Sequence, residues 1–166
     1  MKVGIILGSK SDIDFAKETI KILKNFNVKY NLIISSAHRS PERTHKWAID
    51  TVSKENIEVI IAIAGAAAHL AGVVASYVSI PVIAVPINST SLMGLDALLS
   101  MVQMPAGVPV ATMSIGKQGA KNAAIFAIQI LSLKDDSLKE KLKSYKLELA
   151  KKVEIDHFDT LKNLDL

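Results

Sequence analysis

Apolar positions recur along this chain with two alternating periods. Lys2 to Leu7 is a β-branched apolar run ending at Gly8, and from Asp12 to Phe26 the residues Ala16, Ile20, Leu23 and Phe26 return every three or four positions. That pattern predicts a strand, a turn and an amphipathic helix. The unit repeats: Lys29 to Ile34 reads as a second short strand, and Pro41 to Asn56 as a helix carrying His45, Trp47, Ala48 and Val52. Val59 to Ala64 is a third strand, apolar on both faces. Ala68 to Tyr77 is an apolar, small-residue helix leading to a fourth strand around Val82 to Val85. Helices over Ser91 to Gln103 and Gln118 to Leu131 flank a fifth short strand near Pro109 to Met113. Strands apolar on both faces and alternating with helices predict an α/β fold: a three-layer, doubly wound parallel sheet, flavodoxin-like or Rossmann-like. Asp135 to Lys152 adds a lysine-rich C-terminal helix with Leu138, Leu142, Tyr145 and Leu149 along one face, suited to pack outside the sheet or on another subunit. Residues 1–152 therefore form a single domain, and Val153 to Leu166, weakly periodic, is expected to be a loosely ordered tail.

Charge changes this picture through its distribution. From Val59 to Ile115 the only formally charged side chain is Asp96. Two consecutive helices that are apolar nearly all round need burial on every side, which in a chain of this size predicts a tightly packed homo-oligomer. The same stretch raises a second possibility, because Val59 to Val78 is long enough and uncharged enough for a membrane span. Gly65, Gly72 and His69 interrupt it, its two halves differ in character, and no lysine or arginine flanks it closely, so no membrane segment is expected.

Composition narrows the function classes. The chain has 166 residues, 49% of them apolar, enough for one domain with a full core. The net charge of +4 comes from lysines scattered through helices, and the aromatic content of 5% offers no stacking platform, so nucleic acid is not an expected partner. The absence of cysteine removes thiolate nucleophiles and cysteine-ligated metals. It also fits a reducing compartment, and with Met1-Lys2 leading straight into a strand the expected location is the cytoplasm. None of the four histidines has metal-ligand spacing to another, and no metal is predicted.

Chemistry must then use His, Ser, Asp, Arg or the backbone, and the strand-to-helix turns are where these gather. Ser35-Ser36-Ala37-His38-Arg39-Ser40-Pro41-Glu42 places a proton-transfer group beside an anion clamp at the carboxyl end of a strand, where ligands sit in open α/β sheets. Taken alone, the octet is equally a helix start, with Pro41 at the first position, Ser40 as cap, and His38 and Arg39 as ordinary loop residues; on its own that plainer reading is preferred. Gly8-Ser9-Lys10-Ser11-Asp12 forms an anion-favouring helix start, with phosphate on the serines and sugar hydroxyls on Asp12. It lacks the further glycines of a Walker loop or dinucleotide fingerprint. Its plainer reading is a cap by Ser11, with Asp12 and Asp14 opposing the helix dipole. Ala64-Gly65-Ala66-Ala67-Ala68-His69-Leu70 is small enough to let a flat ligand lie against the backbone, or to let a helix pack closely on the sheet with His69 as a hydrogen-bonded interior histidine, and for His69 alone the interior reading is preferred.

Together these turns and Val102-Gln103-Met104-Pro105-Ala106-Gly107-Val108-Pro109-Val110 resemble the N5-carboxyaminoimidazole ribonucleotide mutase family of purine biosynthesis, over nearly the whole chain to about Lys134. The resemblance implies a homo-octamer and a cofactor-independent isomerase that moves a carboxylate from an exocyclic nitrogen to carbon 4 of the aminoimidazole ring, with a ribonucleotide and carbon dioxide as partners and no ATP, biotin or metal. It implies His38 as general acid and base, Ser9 and Arg39 on the 5′-phosphate with help from Ser11, Asp12 on the ribose, and Gly65, Ala66, Ala67 and His69 as pocket wall. The chain departs from the family pattern at Ile13 for tryptophan, Ser40 for threonine, Ala66 for glycine, Ala71 for proline and Ala106 for arginine. Ala66 matters most, since a glycine there can serve an unusual backbone angle. Competing readings are the related carboxylase that adds carbon dioxide directly to aminoimidazole ribonucleotide, a non-catalytic phosphate- or flavin-binding flavodoxin-like module, and a receiver-type signalling module.

Overall fold

The structure, a computed structural model, describes residues 1–164. Five strands form one parallel sheet in the order β2-β1-β3-β4-β5: β1 (Lys2–Leu7), β2 (Lys29–Ile34), β3 (Val59–Gly65), β4 (Val82–Ile87) and β5 (Ala111–Thr112). The apolar runs are central strands because both their faces are covered. Val3, Ile5, Leu7, Val59, Ile61, Ile63, Ile83 and Val85 point to one core, shared with α1 (Ile13–Asn25), α6 (Lys117–Ser132) and the first turns of α7 (Asp136–Asn163). Ile6, Ile60, Ala62, Val82 and Ala84 point to the other, under α4 (Leu70–Ala75) and α5 (Leu95–Val102). The layers and the parallel sheet are those the hydrophobic pattern predicts.

Several boundaries differ from the periodicity. The helix expected over Pro41 to Asn56 is three pieces: α2 (Pro41–Lys46), a π-helical turn (Trp47–Thr51) and α3 (Val52–Lys54). The wide turn carries Trp47 into the core above Gly4, where a β-carbon would stand 3.0 Å from the indole. The Trp47 indole N–H donates to Asn31 Oδ1 at 3.0 Å. Helix α5 starts four residues later than the pattern suggests, because Met93 and Gly94 have positive φ and hold the preceding residues in a turn. Helix α7 continues through Val153, where the tail is expected to begin, to Asn163; Asp165 and Leu166 lie outside the described residues. The segment contains neither glycine nor proline to stop the helix, and its weak periodicity reflects an exposed helix rather than a broken one. Among the described residues no helix is long and apolar enough to cross a membrane, and Val59 to Val78 divides between β3, a turn and α4.

Candidate active site

In a sheet with this strand order, the crevice opens between β1 and β3, where successive connections leave to opposite faces. A cleft of about 360 Å³ lies there, walled by the turns after β1, β2, β3 and β4. Ser9, Ser11, Asp12, His38, Arg39, Gly65, Ala66, Ala67 and His69, widely separated in the chain, all line it.

After β1 the chain makes a single 3₁₀ turn (Lys10–Asp12) before α1, and the cap is Ser9 rather than Ser11. The Ser9 hydroxyl accepts from the Ser11 N–H at 3.4 Å, and the Asp12 carboxylate reaches back to accept from the Ser9 N–H at 2.9 Å, a reciprocal capping box. The Ser11 hydroxyl donates to the other Asp12 oxygen at 2.9 Å. Asp12 is only 3% exposed. Burial pushes its carboxyl above the usual carboxylate range, against the hydrogen bonds from Ser11, Ser9 and the Gly8 backbone and the charge of Arg39. A carboxylate has about four acceptor positions, so these bonds do not exhaust its capacity to accept from a ligand hydroxyl.

After β2, the buried Ser35 hydroxyl bonds the buried Thr44 hydroxyl at 2.9 Å and so fastens the turn to α2. The Ser36 hydroxyl accepts from both the backbone N–H and Nε of Arg39, at 3.3 and 3.4 Å. Ser40 precedes Pro41 at the helix start but makes no side-chain cap bond. The turn is thus shaped by Ser35 and Ser36, and its exposed products are His38 and Arg39. Among the described residues Arg39 makes no ion pair, which leaves its guanidinium fork available to an anion.

After β3, Ala66 has φ +55°, a left-handed backbone that glycine adopts without cost. The departure singled out in the sequence therefore falls on a backbone angle that favours the missing residue. The turn tightens further through N–H bonds of Ala68 to the Ala66 carbonyl and of His69 to the Ala67 carbonyl, each 2.8 Å, so α4 begins only at Leu70. His69 is exposed in the cleft, not interior. Its Nδ1 stands 3.0 Å from His38 Nε2, with the rings edge to face at a centroid distance of 5.0 Å. One ring donates and the other accepts, so the tautomer of each ring is tied to that of its neighbour. Sequence inspection could not pair them, since 31 positions separate them. It also missed Ser36 as the support of Arg39 and Ser89, contributed by the turn after β4; the only signal for Ser89 was the polar run Asn88-Ser89-Thr90 ending an apolar strand.

The site thus offers an anion clamp, a buried diol acceptor, paired imidazoles and a bare, small-residue wall. The AIR carboxylase family profile matches residues 2–152. A Pyrococcus abyssi protein named N5-carboxyaminoimidazole ribonucleotide mutase is 56% identical over 150 residues, covering 90% of this chain and 84% of that protein. A Bacillus subtilis protein of the same name is 52% identical over 140 residues, 84% of this chain and 86% of that one. The crystal structure of Treponema denticola PurE superposes with a TM-score of 0.86 at 32% identity, covering 95% of this chain and 97% of that chain.

Proposed function

The chain belongs to the AIR carboxylase family, and from that membership we infer that it is an N5-carboxyaminoimidazole ribonucleotide mutase, an isomerase of purine biosynthesis that produces 4-carboxy-5-aminoimidazole ribonucleotide. The observation that carries the reading to particular residues is the convergence of four separate turns on one cleft at the β1/β3 switch point.

The substrate 5′-phosphate binds Ser9 and Arg39, with Ser11 beside them, and the ribose hydroxyls bond the free acceptor positions of Asp12. The aminoimidazole ring then lies toward Gly65 and Ala66, next to the His38–His69 pair. The chemistry balances within one substrate. The N–C bond to the carboxylate breaks, its electron pair returns to nitrogen, and carbon dioxide is released into the cleft. His38 gives that nitrogen a proton. Carbon 4 attacks the carbon dioxide to form the new C–C bond, and His38 takes the proton that carbon 4 loses. One proton leaves the imidazole and one returns, with no change of oxidation state. The alanine and glycine wall keeps carbon dioxide against the ring and excludes water, and His69 orients the His38 ring.

The assembly we propose is a homo-octamer in the cytoplasm. What supports association of the chain is the apolar surface left open on a single copy: Leu92 and Met93 are 61% and 69% exposed, and Leu95, Leu99 and Val102 are exposed along α5. The function is tested by supplying N5-carboxyaminoimidazole ribonucleotide to purified protein without ATP, beside a parallel mixture of aminoimidazole ribonucleotide and bicarbonate. Fast ATP-free isomerisation is the expected result, and reaction of the second mixture alone would move the assignment to the direct carboxylase.

A further inference from the structure

We propose that Ser89 is a substrate-binding residue whose hydroxyl donates to the migrating carboxylate; the proposal rests on the mutase reading above. Strand β4 ends at Ile87, and the Ser89 N–H bonds the Ile87 carbonyl at 3.1 Å, a tight turn that folds the chain back over the end of β3. Gly65 and Ile87 are partners in the β3–β4 register. A β-carbon on Gly65 would overlap the Ser89 hydroxyl and come within 2.8 Å of the Ser89 β-carbon. The hydroxyl therefore occupies the space that any side chain at position 65 would fill, and it does so on the wall of the cleft.

Three features give that placement a chemical meaning. The strand order puts the turns after β2 and β1, with Arg39, Ser9 and Asp12, on one half of the cleft and those after β3 and β4 on the other. A nucleotide held by its phosphate and ribose on the first half directs its base, and the group the base carries, toward the second. That second half is lined by Ala64, Gly65, alanines, His69 and Leu70, so among the described residues Ser89 supplies its only side-chain hydroxyl. Finally, the Ser89 hydroxyl has no hydrogen-bond partner among the described residues, while the neighbouring Thr90 hydroxyl is engaged with Asp96 at 2.7 Å. A free donor at the far end of an anion-binding cleft is placed for a carboxylate, and hydrogen bonds to ionised acceptors are the strong ones.

The test compares two ligands that share phosphate and ribose and differ in the carboxylate. Binding of 4-carboxy-5-aminoimidazole ribonucleotide and of aminoimidazole ribonucleotide is measured by calorimetry on the intact protein, for wild type, Ser89→Ala and Ser89→Cys. Both variants should weaken the carboxylated ligand about tenfold or more while leaving the uncarboxylated one within about twofold. Ser89→Cys matters because it keeps a small polarisable group at the position with a much weaker donor, while the uncarboxylated ligand reports any steric effect of the larger sulfur. Equal weakening of both ligands, an unchanged affinity for the carboxylated one, or wild-type behaviour of the cysteine variant would each overturn the assignment. A wild-type protein that binds neither nucleotide would overturn the mutase reading itself, and this proposal with it.

Discussion

Three residues decide most of what the cleft can do. His38→Asn should lower turnover by about 10²- to 10⁴-fold, the usual share of a positioned acid–base group, while calorimetry finds substrate affinity nearly unchanged; retained turnover would remove His38 from the mechanism. Asp12 is tested through pH. Its carboxyl is held above the usual carboxylate range by burial, so protonation, and with it loss of the proposed ribose acceptor, sets in at higher pH than for an exposed aspartate. KM should rise as pH falls through that range, and Asp12→Asn should have a high KM without this acid limb. The stability effect has the opposite sense. The folded state holds this proton more tightly than the unfolded chain, so Asp12 costs stability above its folded pKa, and that cost shrinks as pH falls through it. At the third position, Ala66 stands at φ +55°, and Ala66→Gly should leave thermal stability unchanged or raise it by up to about 1 kcal/mol, as relief of backbone strain offsets the entropy of a new glycine. The importance of position 66 was legible in the chain; the sign of its φ was not, because the turn after β3 sets it.

Elements were legible in proportion to their one-sided burial. Helix α1 follows its apolar repeat closely, since Ala16 and Leu23 meet a single sheet face. Helix α4 does not, because its flanks are fixed by the strained turn at Ala66 rather than by its own apolar residues. Helix α7 shows the opposite limit: Leu138 and Leu142 are buried and Tyr145 packs edge to face on Phe26 at 5.6 Å, but beyond them the helix runs exposed, with Phe158 at 62%. Removing residues 153–166 should therefore leave the thermal stability of the α/β body within about 1 kcal/mol of wild type, whereas Leu138→Ala should cost about 2–5 kcal/mol in denaturant unfolding. At the amino end of α6, Gly119 lies so close that a methyl group would overlap the Ser114 carbonyl. Gly119→Ala is expected to destabilise by about 1–3 kcal/mol despite the better helix propensity of alanine, because backbone has to move.

At the scale of the whole molecule, the charge-poor stretch from Val59 to Ile115 and the open apolar surface of α5 describe a chain built to be covered. Light scattering on the purified protein should give a particle several times the 17.9 kDa of the chain, and the proposed octamer corresponds to eight copies. Leu99→Lys, on the exposed side of α5, should dissociate that particle without unfolding the chain. The sequence by itself determined the fold class and singled out turns that line the cleft, because period-two and period-3.6 burial and the residues of strand-to-helix turns are properties of short stretches. Tertiary structure alone decided which turns meet: the β2-β1-β3-β4-β5 order brings His69 to 3.0 Å from His38 and sets Ser89 over Gly65. Those contacts depend on strand pairings between distant segments, and no local pattern of residues encodes them.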